Sequence, residues 1–496
     1  MRIDIRPVAK LRGPNPVNVS AVIGPVVDAL GSSSLDLARL RVVCDWIQYR
    51  QSFAEPVEAR PVLAERALRP GDDGGVAAES ALEIAIDLRR CDGLDVATSV
   101  KEALAEHADP AGTARIALEP WQPARDSCIW RFNTLYWQAL SRWEQATGRE
   151  YEQALPGGQS QARDAGAAGE LIRELLRVWD ELDSRRALPE ELYVVELGVG
   201  NGTQARTWLD TFAQLDRAHG RNYYPRLHYL MGDYSAHVLE RARQAVAHHG
   251  ERVSALVLEA TRPQVTLGFL RGKAFCVYIS NVYDNLPTDE VAIVRGRPYL
   301  VEVRAYLRRE AAAPIARRHR TEVGRLPALI GRLLRLGPDL LAEAAPDQFP
   351  GPGDAVALWR DVWAALRLQE RYAPLQGLDA YQVFDSATGE ILRPLLESCG
   401  DVRMHVSNGA LTSFAETLPL LHPFGRLACH DLFLTTPDAY DAGFYGPGKY
   451  DGSVVNWVNG PLLALIGNRR GFEVQISPFA GRPNATVKTL TAQVRD

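Results

Sequence analysis

The sequence predicts a doubly wound α/β fold, and three observations predict it. Residues 193–203 read YVVELGVGNGT: an apolar run, an acid, then glycines at 198, 200 and 202. A buried parallel strand is apolar on both faces, and alternating glycines let the backbone turn sharply at its end. Ala205, Trp208, Leu209, Phe212 and Leu215 then recur at helical spacing until Gly220, so the turn leads into a helix. Further apolar runs at 226–232, 253–258 and 275–279 each end in polar residues. That is the rhythm of successive strands whose carboxyl ends carry a ligand.

At 496 residues the chain has room for two or three domains. The expected division is a small α+β module over 1–120, suited to binding, the sheet over 121–302 and 401–496, and a helical cap over 303–400. Charge is close to balanced, 56 Lys+Arg against 61 Asp+Glu for a net of -5. This gives no electrostatic footprint for nucleic acid, and the arginines of 304–309 read as a solvated helix face. Six cysteines without a C-x-x-C pair argue against a disulfide framework or a zinc site and suit a reducing cytoplasm. No run reaches the ~18 apolar residues of a membrane span, and the first residues lack a signal-peptide core. The expectation is a soluble cytoplasmic protein without a membrane partner.

Taken in order, residues 2–8 and 114–118 look like strands. The run 78–90 reads as a helix with Leu82, Ala85, Ile86 and Leu88 on its core face, and 70–75 is a turn cluster. From 121 to 191 the chain is helical and aromatic. Trp130, Leu135, Trp137, Leu140 and Trp143 suit packing, Pro156-Gly157-Gly158 interrupts, and 167–182 is strongly amphipathic.

The glycine turn sets the first candidate site: Glu196, Gly198, Gly200, Asn201 and Gly202. Its spacing is E-x-G-x-G-x-G rather than the G-x-G-x-x-G of a dinucleotide site, and no Lys-Ser/Thr pair follows to hold a triphosphate. Asp233, followed by Tyr234 and Ser235, ends the second strand. A carboxylate there can accept from both ribose hydroxyls; the alternative is a helix cap. Glu259 ends the third strand and suits either an adenine amino group or plain exposure. After the fourth strand, Ser280, Asn281, Tyr283, Asp284 and Asn285 form a polar turn where a reacting group would lie, with helix capping by Asp284 the simpler alternative.

The string ELGVGNGT resembles the first motif of class I S-adenosylmethionine-dependent methyltransferases. Together with D-x-S at the second strand and D-N-L-P after the fourth, it resembles the MidA-like methyltransferases, a family that includes the mitochondrial complex I assembly enzyme that dimethylates a protein arginine. HPFGRLACHDLF and PGKYDGSVVNWVNGPLLALIGNRRGFEV resemble its later segments, so the likeness spans roughly 125–496. The resemblance implies a Rossmann-like, seven-stranded methyltransferase sheet and S-adenosyl-L-methionine as cofactor. Glu196, Gly198, Gly200, Asn201, Gly202, Asp233, Tyr234, Glu259 and Ser280 would hold it, Asp284 and Asn281 would act on the acceptor, and no metal is implied. A protein or peptide nitrogen such as arginine is the implied acceptor, and a homodimer is an open assembly. The family's Asn-Glu is replaced by Ser280-Asn281, and its G-D-F-x-T loop gives way to Gly158-Gln159-Ser160, so the cofactor side is better kept than the acceptor side. More faintly, Leu11-Arg12-Gly13-Pro14-Asn15 and the later ESALEIAIDLRRCDGLDV resemble the amino-terminal domain of cyanophycin synthetases.

Toward the carboxyl end His405 reads as structural and Asn408-Gly409 as a turn. His430 and Asp431 end the fifth strand and could face substrate, and 484–495 alternates like an antiparallel final strand. Two rival readings are a non-catalytic assembly protein that retains the cofactor fold and a nicotinamide-dependent oxidoreductase, the latter disfavoured by the glycine spacing.

Overall fold

The computed structural model describes residues 1–6, 16–32, 35–47, 51–64, 79–109, 114–154, 165–442, 446–480 and 485–495. Two compact units emerge. One comprises 136–287, 407–436 and 457–496; the other comprises 1–135, 288–406 and 437–456.

The first unit holds the glycine turn. Its strands, numbered within the unit, are β1 (Leu192–Leu197), β2 (Leu227–Asp233), β3 (Val253–Val257), β4 (Ala274–Ser280), β5 (Leu421–Asp431), β6 (Phe472–Pro478) and β7 (Lys488–Val494). They lie in the order β3-β2-β1-β4-β5-β7-β6. β1 to β5 run parallel, and β7 is antiparallel to both β5 and β6, as the alternating tail predicts. Strand order reverses between β1 and β4, which opens a crevice at their carboxyl ends.

Helices that accompany the sheet include α1 (Ala165–Ser184), α2 (Thr203–Ala218), α3 (Ala236–Ala245), α4 (Asn408–Thr417) and α5 (Gly460–Arg469). The helical spacing seen in α1 and α2 places Trp179, Trp208 and Phe212 in one buried cluster with Tyr229 and Phe275. Trp208 stacks on Phe212 with ring centres 5.2 Å apart, and Trp179 meets the edges of Phe212 and Phe275, both at 5.6 Å. Such pairs add to the burial of their area.

The second unit corrects the expected domain division. Its main sheet runs Arg2–Ile5, Leu40–Asp45, Glu79–Asp87, Val57–Leu63, Arg367–Pro374, Arg297–Arg308, Glu290–Val294 and Val402–His405. Strands Arg115–Ala117 and Gln122–Pro123 pair with Arg297–Arg308. The amino-terminal strands and those flanking the insertion therefore form one sheet, and 1–120 is not a separate module. The expected helical cap does contain helices Arg309–Arg318, Leu326–Ala344 and Pro352–Ala365, but strands enclose them. Residues 121–135, 288–302, 401–406 and 437–456 also belong to this unit rather than to the glycine-turn sheet.

Two local readings change with it. The run 78–90 is a strand, Glu79–Asp87, parallel to Leu40–Asp45 and antiparallel to Val57–Leu63. An interior strand covered on both faces loses the period of two, and its apolar residues imitate a helix. The arginines of 304–309 sit mostly on strand Arg297–Arg308 and are engaged: Arg304 lies 4.7 Å from the Trp121 ring, and Arg308 pairs with Glu55 and Glu106. Leu11–Asn15, the 70–75 turn, Pro156–Gly158 and Gly158–Ser160 lie outside the described residues.

Buried charges join the amino-terminal strands to the later ones. Glu83 accepts from Arg41 (3.4 Å), Arg60 (3.3 Å) and the Tyr372 hydroxyl (2.8 Å). Arg60 also reaches Glu58 (3.1 Å) and Glu370 (2.8 Å), while Arg403 grips both oxygens of Glu370 at 2.8 Å and pairs with Glu290. Glu370 is held down at about 2; burial opposes this, and Arg403 and Arg60 overcome it. Removing one member of such a network strands its partners without water. Arg403→Met is expected to destabilise the protein by about 3–5 kcal/mol, read as a lowered urea midpoint; an unchanged midpoint would show that the network contributes nothing net.

Candidate functional site

The glycine turn follows β1. Gly198, Gly200 and Gly202 have φ of +75°, +57° and +78°, which L side chains rarely adopt. Space is short as well. A Cβ on Gly198 would lie 2.3 Å from Val282 Cγ2, one on Gly202 would lie 2.6 Å from the Ala242 backbone, and one on Gly200 would lie 2.8 Å from the Tyr151 hydroxyl. The three glycines thus answer to three different neighbours: the turn after β4, helix α3, and a tyrosine preceding the sheet. Asn201 closes a local turn just ahead of α2, its Oδ1 accepting from Thr203 N at 3.0 Å, and Gly202 is the N-cap.

Glu196 is buried near the end of β1 and accepts from the Tyr229 hydroxyl at 2.6 Å. Asp233 ends β2, half-buried. Its Oδ2 accepts from Gly200 N (3.2 Å) and its Oδ1 from Ser235 N (3.0 Å), so this carboxylate is fixed against the turn. Burial pushes it up to about 6, although the backbone N–H groups pull the other way. Ser235, not Asp233, caps α3 by accepting from Val238 N at 3.3 Å. The Tyr234 hydroxyl accepts from Gln138 Nε2 at 2.8 Å. Glu259 stands exposed beyond β3 and accepts from the Thr261 hydroxyl.

The polar turn after β4 is organised from β5. Ser280 is in register with His430, and Asn281, with φ +51°, donates its N–H to the His430 carbonyl at 3.0 Å. Asp431, fully buried, accepts from Val282 N (3.1 Å) and Tyr283 N (2.8 Å) through one oxygen and from Leu432 N (2.8 Å) through the other. Asp284 is 6% exposed and accepts from Asn285 Nδ2 at 2.8 Å. Burial, and then the Asp431 charge, push Asp284 well above the usual carboxylate range. Asp431 itself rises to about 6 through burial. Each of the two carboxyl groups disfavours the charged form of the other. His430 is buried, touches Thr489 Oγ1 through Nδ1 (2.9 Å), and is lowered by burial to about 4, which leaves it a neutral packing residue. His405 belongs to the second unit, in strand Val402–His405.

Sequence reasoning placed Asp284 but did not pair it with Asp431. The two are far apart in the chain, and only parallel pairing of β4 with β5 brings them together. Tyr151 and Gln138 gave no signal, since nothing in a lone Tyr or Gln marks it as a neighbour of a turn.

Residues 171–323 match the model of a family described as "putative S-adenosyl-L-methionine-dependent methyltransferase". No curated protein matches the chain. Among solved structures, one similar chain is a Burkholderia thailandensis protein described as a "likely methyl transferase" and bound to S-adenosyl-homocysteine. It is 14% identical with a TM-score of 0.44, covering 78% of this chain and 90% of that one. An uncharacterized protein from the same organism is 13% identical with a TM-score of 0.41, covering 78% and 89%. The 1,6-didemethyltoxoflavin-N1-methyltransferase of that organism is 11% identical with a TM-score of 0.31, covering 78% and 97%. The segment matched by that methyltransferase family, residues 171–323, holds the glycine turn, Asp233 and the turn after β4 that carries Asp284.

Substituting the turn glycines separates two effects. Gly202→Ala meets backbone and is expected to lower both the melting temperature and S-adenosylhomocysteine affinity. Gly200→Ala meets only a side-chain tip and is expected to cost about 1–3 kcal/mol in backbone strain, with at least ~10-fold weaker binding. Calorimetric titration alongside thermal melts checks both; wild-type affinity in a folded Gly200→Ala protein would show that ligand does not approach this turn.

Proposed function

We propose that this methyltransferase acts on a protein or peptide nitrogen, such as that of arginine, and that the Asp284–Asp431 pair receives the proton the nitrogen gives up. The observation that carries this reading is the pair itself, two buried carboxyl groups at the carboxyl ends of adjacent strands beside the topological switch point.

The residues at the turn suit S-adenosylmethionine. The three glycines let the turn pass close under Val282, Tyr151 and Ala242, and Asp233, oriented by Gly200 N and Ser235 N, retains lone pairs for ribose hydroxyls. When bound, the cofactor supplies a methyl carbon already activated by its sulfonium. The chain then has to position the acceptor, exclude water and manage a proton.

Asp284 and Asp431 divide that work. Asp431 uses its oxygens to fix the turn at Val282 and Tyr283, and so positions Asp284. A single proton shared between them would leave one negative charge, which would attract a cationic guanidinium and accept a proton as the nitrogen is alkylated. The family's glutamate, absent at Ser280-Asn281, has a functional counterpart in Asp431 on the next strand. Asn281, held in a left-handed conformation by its bond to His430, carries an amide suited to orienting the acceptor.

Transfer of labelled methyl from S-adenosylmethionine to a panel of arginine-containing proteins and peptides tests the reading. Asp284→Asn is expected to lower kcat about 10²–10⁴-fold while leaving S-adenosylhomocysteine affinity within ~2-fold. Wild-type turnover in that variant, or activity confined to small molecules without nitrogen, would overturn it.

Acid should affect cofactor binding through Asp233. Its carboxyl is raised in the folded protein, so the neutral form is favoured below about 6 and the carboxylate appears as pH rises through that value. Affinity for S-adenosylhomocysteine is therefore expected to increase from pH 5 to pH 7 and then level off. Asp233→Asn should flatten the profile; a wild-type profile without slope would argue against ribose binding by this carboxylate.

A further inference from the structure

Asp210, His248 and His249 converge on the outside of the methyltransferase unit. Asp210 lies on α2, and the histidines follow α3 in the 3₁₀ segment Ala247–Arg252. We propose that these three residues bind a divalent transition-metal ion of the zinc type.

The geometry carries the proposal. Asp210 Oδ1 is 2.9 Å from His248 Nε2 and 3.3 Å from His249 Nε2, and all three candidate ligand atoms fall within 4.8 Å of one another. Zinc bonded to oxygen and nitrogen at about 2.0–2.1 Å in a tetrahedron separates its ligands by roughly 3.3 Å, so little movement is needed to admit it. His249 is 3% exposed, yet its Nε2 makes no hydrogen bond among the described residues and faces the carboxylate. That nitrogen has the Asp210 carboxylate as an ion-pair neighbour at 3.3 Å, and a metal would take its place between the two. Its other nitrogen, Nδ1, is 2.6 Å from the Tyr224 hydroxyl, which fixes the ring. An oriented outer nitrogen is what metal-bound histidines ordinarily have.

His248 and Asp210 are each 54% exposed in their side chains, so an ion can enter from solvent and water can complete its shell. Two histidines and one carboxylate form a donor set of intermediate softness that suits zinc and neighbouring ions better than magnesium or calcium. Such an ion would clamp α2 to the segment after α3. No cysteine or C-x-x-C pattern takes part, which is why spacing rules did not reveal the site.

The test is titration of tag-free, metal-stripped protein with zinc chloride by calorimetry, with thermal melts in parallel. The expected result is one equivalent bound and a higher melting temperature with zinc. Asp210→Ala and His248→Ala, both at exposed positions, should each weaken binding at least ~10-fold and abolish the thermal shift while leaving S-adenosylhomocysteine affinity unchanged. Tyr224→Phe should weaken zinc by about tenfold through His249 alone. Absence of stoichiometric binding, or equal binding by the His248→Ala protein, would overturn the proposal.

Discussion

The carboxyl edge of the sheet depends on one buried carboxylate. Asp431 accepts three backbone N–H groups from two chain segments, and two of them belong to the turn after β4. That turn carries Asn281 and Asp284, and it also carries Val282, whose methyl lies where a side chain on Gly198 would have to go. The same anchor therefore sets the polar turn after β4 and one wall of the glycine turn. Burial makes the arrangement firm, because the N–H groups have no water to exchange for.

This coupling explains why the glycines are not interchangeable. Gly198 yields to the β4 turn, Gly202 to the backbone of α3, and Gly200 to Tyr151. Each marks a place where another element approaches the loop, and only the positive φ is common to all three. Asp233 completes the enclosure by accepting from Gly200 N, which ties β2 to the turn after β1.

The local grammar of the α/β unit was legible in the sequence. Strand β1, the turn, α2 and the acid at Asp233 are contiguous or nearly so, and periodicity with glycine spacing suffices to find them. Asp431 was visible only as the end of a strand, because its partnership with Asp284 depends on parallel pairing across a long excursion of the chain. The misread segment 79–87 failed for another reason: a doubly covered strand has no polar face to reveal its period, and of its deeply buried acids Glu83 is satisfied by Arg41 and Arg60 from neighbouring strands. The division into 1–120 and a helical cap failed likewise, since which strands share a sheet is a non-local fact.

The mixed sheet of the second unit imposes an order on biosynthesis. Val62 pairs with Tyr372, and Arg60 finds Glu370, so the strand Val57–Leu63 leaves the ribosome long before its neighbour exists. Until then the nascent chain carries an open β-edge and charged side chains meant for a dry interior, a state that invites mispairing and the attention of chaperones. A ribosome that stops short of residue 367 would release a chain whose mixed sheet lacks the strand that pairs with Val57–Leu63. Pairing between such distant segments also slows folding. Folding in a cell thus asks that the amino-terminal strands be kept from mispairing until their partner strands are made.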